Sequence, residues 1–159
     1  MSDEGPDSSA LRLSASADLG FSAAHASSGP LPAAASGTMS AEEVGLRLFE
    51  AIERGDIDAV RSLYAPDIAV WHNFDEIDQD AEANLAVLAW CTRHIEGMRY
   101  EDVRRVPVPG GFVQQHVMRG RSRSGAEIRV PTCMVVAVAN GKITRIEEYL
   151  DSGQVSALS

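Results

Sequence analysis

Proton transfer is the chemistry that the histidines of this sequence could perform, because an imidazole titrates near physiological pH. His72 closes a short apolar run and is followed at once by the acidic segment 74–80. It could act as a general acid or base, or it could simply hydrogen-bond to that segment. His94 falls in a helical pattern and is expected to be a surface or packing residue, whereas His116 falls in a strand pattern.

Residue spacing gives no indication of metal or phosphate chemistry. The His, Asp and Glu residues show no ligand pattern such as H-E-x-x-H. Gly110-Gly111 is a turn signal without the rest of a phosphate-binding loop. We therefore expect a site without metal or cofactor. Hydrogen-bond donors or aromatic walls, or else ordinary packing, could come from Tyr64, Trp71, Asn73, Trp90 and Gln115.

The elements that must position these residues centre on a strand meander from Phe112 to Asp151. Its strands are predicted at Phe112–Ser122, Glu127–Asn140 and Lys142–Asp151. Asn140-Gly141 between two apolar runs is a strong hairpin signal, because both central residues of a type I′ turn need a positive φ. The middle strand is apolar on both faces, so both of its faces must be covered.

The hairpin turn predicts which side chains share a face of the sheet. A two-residue loop pairs Ala139 with Lys142, and a regular register then places Val135 opposite Ile146, Cys133 opposite Glu148 and Pro131 opposite Leu150. The other face would carry Tyr149, Glu147, Arg145, Thr132, Met134 and Val136.

The face of His116 stays open at this point. A two-residue loop at Ser124-Gly125 turns Gln115 and Val117 toward the Thr132 side of the sheet. A three-residue loop with Gly125 in the left-handed conformation turns His116 there instead. A bulge near Pro131 could exchange the two outcomes.

Helices are predicted ahead of the meander. Ser40 begins a capping box for a helix over Ala41–Arg54, and Asp56 caps a second helix over Ile57–Tyr64. A strand at Ile68–Asn73, a helix at Ala81–Glu96 and a strand at Met98–Val108 follow. This order predicts an α+β domain with the helices packed on one face of a mostly antiparallel sheet.

Composition excludes several classes of function. The net charge is −9 and no Lys/Arg cluster occurs, so a nucleic-acid surface is not expected. The apolar runs are too short for a membrane span. Cys91 and Cys133 lie in apolar patterns, which predicts buried thiols in a reducing cytoplasm. Ala, Ser, Gly and Pro supply 25 of the first 39 residues, which predicts a disordered, low-complexity extension over 1–39.

The second predicted helix runs into Leu63-Tyr64-Ala65-Pro66-Asp67, and the meander ends with Glu148-Tyr149-Leu150-Asp151. Together with these segments, the order of the elements resembles the nuclear transport factor two superfamily. SnoaL-like polyketide cyclases and steroid delta-isomerase share that fold. The resemblance covers residues 40–152 and leaves 153–159 as a C-terminal tail. It implies a cone-shaped, curved, mostly antiparallel sheet, or cystatin-like roll, around an apolar pocket. It also implies a homodimer through the opposite sheet face, here the face with Thr132, Met134, Val136 and Tyr149.

The resemblance also suggests roles for particular residues. His72 matches the position of the isomerase's proton-shuttling aspartate. The positions of Ile146 and Leu150 line the superfamily's cavity, which would place Glu148 in the pocket beside Cys133 and Val135. Glu148 would then orient His72 or serve as a second acid or base, or it would lie at the rim and pair with Arg119 or Arg121. We include His116 and Val117 among the candidate ligand contacts.

Departures from the isomerase are equally informative. Its oxyanion tyrosine would fall at Leu48 and its protonated second acid near Val135, so both donors are missing and steroid isomerisation by that mechanism is not expected. The resemblance thus implies a cofactor-independent acid–base enzyme acting on a cyclic or polyketide-like molecule. The alternative is a non-catalytic ligand-binding or dimerisation module. The Asp–Arg–Asp set of the related epoxide hydrolases has no clear counterpart.

Overall fold

The computed structural model describes residues 37–155. Its helices are α1 (Ala41–Glu53), α2 (Ile57–Leu63), α3 (Ala81–His94) and the short α4 (Ser152–Val155). Side chains cap the first three: the oxygens of Ser40, Asp56 and Asp80 accept from backbone N–H groups at 3.1, 3.0 and 2.9 Å. Such caps satisfy N–H groups that have no partner within the helix, so they fix where each helix begins.

Six strands form one curved, unclosed sheet. They are β1 (Tyr64–His72), β2 (Asp78–Gln79), β3 (Ile95–Val108), β4 (Gly111–Ser122), β5 (Glu127–Ala139) and β6 (Lys142–Leu150). Their order is β2-β1-β6-β5-β4-β3, and only the β1–β6 pair is parallel. The α+β fold predicted from the sequence is therefore confirmed.

One face of the sheet, called here the inner face, packs against the helices and carries the core. Val44 and Leu48 of α1 and Leu85 of α3 are buried against Val70, Phe112, Val136 and other strand residues. Removing these side chains from water stabilises the domain by about 1.5–3 kcal/mol each. None of the helices within residues 37–155 is long and apolar enough to cross a membrane.

The predicted register of the last hairpin is wrong by one residue beyond Thr144. Ala139 pairs with Lys142 as predicted, but a β-bulge follows, so that Val138 pairs with Ile143 and Ala137 with Arg145. A bulge places two residues opposite one and changes which side chains face the core. Glu148 therefore lies opposite Met134, not Cys133.

This shift overturns two predictions about faces. Thr132, Met134 and Val136 are buried on the inner face, so they cannot form an outer dimer surface. Cys133 and Val135 lie instead on the outer face with Tyr149 and Glu147. The β4–β5 connection is the three-residue alternative, with Gly125 at φ 87°, and it pairs His116 with Thr132 on the inner face.

Element ends differ by a few residues from the prediction. The strand β1 begins at Tyr64 and not at Ile68, and α3 ends at His94, where β3 begins directly. The two-residue strand β2 lies inside the acidic segment 74–80, and α4 overlaps the predicted tail. Most of the predicted disordered extension over 1–39 lies outside the described residues.

Candidate functional site

A cavity of about 320 Å³ lies between the helices and the inner face of the sheet and is called here the main cavity. Its wall is mostly apolar, with Leu88, Met98, Met118 and Val130 among the lining side chains. A smaller hollow of about 50 Å³, the inner chamber, is lined by five of the same residues: Asn84, Leu88, Tyr100, His116 and Glu148. The polar members of this set therefore face both spaces.

Phe74 and Val87 line the main cavity and are 48% and 43% exposed. Phe74 follows β1, and Val87 lies on α3. Exposed large apolar side chains at the rim of a cavity are typical of an entrance for apolar ligands. The main cavity thus opens between the end of β1 and α3.

His72 and Glu148 meet at the wall of the main cavity. They are register partners on the parallel strands β1 and β6, so both point to the inner face. The Nε2 of His72 lies 3.1 Å from Oε2 of Glu148, and their side chains are 7% and 22% exposed. An imidazole and a carboxylate in hydrogen-bond contact can hold a proton between them and transfer it to a bound molecule.

The neighbours of His72 determine its protonation. Burial alone lowers its pKa, but the hydrogen bond and charge of Glu148, together with Asp75, outweigh burial and raise the pKa above its ordinary value. The Nδ1 atom is buried and finds no hydrogen-bond partner among the described residues. Because Nε2 is engaged and Nδ1 is closed off, the Glu148 carboxylate is the member of the pair that faces a ligand.

His116 lies in the same wall within a different network. Its Nδ1 is 3.1 Å from Nε2 of Gln114, and Oε1 of Gln114 accepts from Nε of Arg105 at 2.8 Å. The ring contacts Phe49 and Tyr100 edge-on, with centroids 5.2 and 4.8 Å away. Burial is the main cause that lowers the pKa of His116 to about 4, so the ring is neutral at physiological pH.

Three further polar groups of the two spaces, Tyr64, Tyr100 and Cys91, are uncharged. Tyr64 donates to Oδ1 of Asn84 at 2.7 Å. Burial and the charge of Glu148 raise the pKa of Tyr64, Tyr100 and Cys91, so both phenols and the thiol keep their protons. Glu148 and His72 are in hydrogen-bond contact in this cavity and are placed for proton transfer. No group of three or more potential metal ligands occurs within residues 37–155.

The structure brings together some of the residues that the sequence pointed to. His72, Glu148, His116 and Leu150 line the main cavity, and Tyr64 and Ile146 line the inner chamber. Trp71, Gln115, Val117, Cys133 and Val135 lie on the outer face, because strand alternation and the bulge turn them away. Asn73 lines an outer groove, and Trp90 stacks on His94 outside the cavity.

Sequence reasoning missed several residues of the wall, among them Asn84, Tyr100, Thr132 and Met134, and it missed Gln114, which contacts His116. Asn84 did leave a signal, since it stands on one helical stripe with Leu88 and Cys91 at spacings of four and seven. A polar residue on an apolar stripe marks a satisfied buried group or a site. Tyr100 left no such signal, because the bulge at Asp102 (φ 53°) interrupts the alternation of β3.

The comparisons with known proteins agree with this fold. The family model described as SnoaL-like domain matches residues 46–146, more than half of the chain, so the protein belongs to the SnoaL-like domain family. A search of the curated proteins found no significant match.

Solved structures with the same fold share little sequence with this chain. A candidate polyketide cyclase, IdmH from Streptomyces antibioticus, is 19% identical with a TM-score of 0.66, covering 76% of this chain and 98% of that one. A protein from Catenulispora acidiphila with a ketosteroid isomerase-like fold, solved in complex with trimethylamine, is 16% identical with a TM-score of 0.65, covering 76% and 94%. An NTF2-like protein of unknown function from Burkholderia pseudomallei is 20% identical with a TM-score of 0.65, covering 76% and 98%.

Proposed function

We propose that this protein is a cofactor-independent acid–base enzyme that moves a proton on a small, mostly apolar cyclic or polyketide-like molecule. The observation that carries the proposal is the contact of 3.1 Å between His72 and Glu148 in the wall of an apolar cavity. A buried imidazole–carboxylate pair facing an enclosed space is a common arrangement for general acid–base catalysis.

Within the pair, we assign the proton exchange with the substrate to Glu148. His72 supports the Glu148 carboxylate through their contact of 3.1 Å. The free oxygen of Glu148 accepts a proton from a carbon next to a carbonyl, and the electrons of the C–H bond move into the enolate. The same proton then returns from Glu148 to another carbon or to the oxygen. The sequence suggested the reverse division of roles, which the burial of Nδ1 of His72 does not favour.

The size and lining of the main cavity support the substrate class. A volume of about 320 Å³ lies at the small end of the range typical of ligand pockets. Apolar side chains surround a few polar groups that converge on one side, an arrangement suited to one or two rings bearing a carbonyl. The structures with this fold include candidate polyketide cyclases from Streptomyces antibioticus and from Xanthomonas campestris.

Deuterium uptake tests the proposal without knowledge of the natural substrate. Bicyclic ketones such as 2-tetralone would be incubated with the protein in D₂O, and α-deuterium would be followed by NMR. Wild type should accelerate the uptake and Glu148→Gln should lose at least about a hundredfold of that acceleration, the usual contribution of a general base. Glu147→Gln, the same change one residue away on the outer face, is the matched control.

A non-catalytic binding module is the second candidate. The missing oxyanion donors at Leu48 and Val135 favour it, since Leu48 contributes only apolar surface to the inner chamber and Val135 lies on the outer face. A thermal-shift screen separates the two functions, because any ligand that binds the native state stabilises it. Ketones that raise the melting temperature without exchanging deuterium would contradict the enzyme and support the binding module.

The homodimer and the cytoplasmic location stay proposals. For the homodimer, the apolar row Val106, Val113 and Val135 crosses three strands on the outer face of the sheet. Val106 and Val135 in this row are exposed. A second copy of the chain that covers this row would remove it from water.

A further inference from the structure

We infer that Arg105, acting through Gln114, holds the proton of His116 on Nε2, so that His116 is a neutral hydrogen-bond donor for the carbonyl oxygen of the substrate. The inference rests on the proposed function and names the group that would stabilise negative charge on that oxygen. It assigns a substrate-contacting role to His116 and positioning roles to Gln114 and Arg105.

The direction of each hydrogen bond follows from the residue at the outer end of the network. A guanidinium has only donors, so the Gln114 atom 2.8 Å from Nε of Arg105 must be its oxygen. The amide nitrogen of Gln114 therefore faces Nδ1 of His116 at 3.1 Å and donates to it. A neutral imidazole whose Nδ1 accepts carries its proton on Nε2.

Burial and packing hold Arg105 and Gln114 in place. Gln114 is completely buried, so no water competes for its amide. Arg105 stacks over the rings of Phe49 and Phe112, at 5.7 and 5.2 Å from their centroids. Gly45 of α1 leaves room for the guanidinium, since a Cβ there would lie 2.9 Å from Nε of Arg105. These contacts hold the guanidinium beside Gln114 without a carboxylate partner among the described residues.

The remaining nitrogen of His116 is available to a ligand. Nε2 makes no hydrogen bond within residues 37–155 and is not among the buried polar atoms without a partner. His116 lines both the main cavity and the inner chamber, as Glu148 does. A molecule held between them can lose an α-proton to Glu148 while its oxygen accepts from Nε2–H of His116.

A fixed, uncharged donor suits this step. Preorganised donors aimed at the developing oxyanion stabilise the transition state without reorganisation. A neutral imidazole also adds no positive charge to the cavity beside Glu148. His116 thereby supplies the kind of group that is missing at Leu48 and Val135.

Nitrogen-15 NMR of the side-chain histidines tests the tautomer without any ligand. Between about pH 6 and pH 8 the wild-type protein should show His116 with Nε2 protonated and Nδ1 bare. Gln114→Glu keeps the shape but offers only acceptors, so the proton should move to Nδ1. Gln115→Glu, the same change one residue away on the outer face, should leave the wild-type pattern. A wild-type ring protonated at Nδ1, or at both nitrogens, would overturn the inference.

Catalysis and spectroscopy then test the role of the donor. In Gln114→Glu, kcat for deuterium uptake by 2-tetralone should fall at least about tenfold with little change in KM, because the lost contact is made mainly in the transition state. The C=O stretch of the bound ketone should rise toward its value in an apolar solvent. Unchanged kcat and C=O stretch in Gln114→Glu, with the proton moved to Nδ1, would overturn the donor role.

The two proposals fail in different ways. If Glu148→Gln lowers the uptake and Gln114→Glu does not, the acid–base function stands and the donor role is wrong. If the ketone binds but wild type exchanges no deuterium, the proposed enzyme is wrong. In that case the tautomer of His116 and the C=O stretch of the bound ketone still test whether His116 donates to the ketone oxygen, because neither measurement needs turnover.

Discussion

His72 and His116 line one cavity, yet their surroundings move their pKa values in opposite directions. Glu148 and Asp75 raise that of His72 against the effect of burial, whereas burial lowers that of His116 to about 4. The difference lies in the partners, since Nε2 of His72 meets a carboxylate and Nδ1 of His116 meets an amide nitrogen. The two imidazoles of this cavity therefore differ in how readily they take up a proton.

The low pKa of His116 predicts a specific loss of stability in acid. An unfolded histidine titrates near 6.5, so between pH 6.5 and about 4 the unfolded state binds more protons than the folded state. The free energy of unfolding should therefore fall by about 3 kcal/mol through this group as the pH drops across that window. The difference between wild type and His116→Asn, followed by urea denaturation from pH 7 to pH 4, isolates it. Parallel curves for the two proteins would contradict the pKa.

The residue types in the sequence predicted only part of this site. The chemistry of an imidazole identified His72 as a candidate, the resemblance to the superfamily added Glu148, and the structure places the two in contact. Their contact depends on the parallel pairing of β1 with β6, which brings together strands about 75 residues apart and leaves no local signal. Arg105 and Gln114 are ordinary strand residues in the sequence, and only their register makes them a network.

At the scale of elements, the bulge at Thr144 decides which residues of β5 face the cavity. The turn at Asn140-Gly141 and the pairing of Ala139 with Lys142 follow from the sequence. The extra residue does not, because a bulge is favoured by sheet curvature and by packing that only the complete fold defines. The α+β order, the helix caps and the strand meander depend on local patterns and were therefore predictable.

A disulfide test distinguishes the two registers. Directly opposed residues of antiparallel strands have Cα atoms about 4.5–5.5 Å apart, within reach of a disulfide. In a Cys91→Ser background, Tyr149→Cys should cross-link to Cys133 on oxidation, whereas Glu148→Cys should not. Mass spectrometry of unreduced peptides would detect the intramolecular bond. The opposite pattern is what a regular hairpin without the bulge would give.

At the scale of the whole molecule, the two faces of the sheet present different surfaces. The inner face forms the cavity, and the outer face presents the apolar row Val106, Val113 and Val135. The sequence pointed to an outer interface but placed the wrong residues there, since Thr132, Met134 and Val136 face inward.

The outer row predicts how the proposed homodimer can be broken. Val135→Glu would place a charge at the β5 end of the row, and burying it unpaired is costly, so the variant should sediment as a monomer in analytical ultracentrifugation. Leu46→Glu, the same kind of change at an exposed position on α1, should stay dimeric like the wild type. A dimeric Val135→Glu protein, or a monomeric wild type, would exclude this interface.

The proposed site depends most directly on the proton that His72 and Glu148 share, and an NMR titration of His72 tests whether they share it. In wild type, the pKa of His72 should lie above 6.5, so the associated stability is present below that pH and is lost as the pH rises through the folded pKa. In Glu148→Gln, burial is opposed only by Asp75 and the pKa should fall, whereas Glu147→Gln should leave it unchanged. A His72 that titrates identically in wild type and in Glu148→Gln would show that the two groups do not share a proton and would contradict the proposed site.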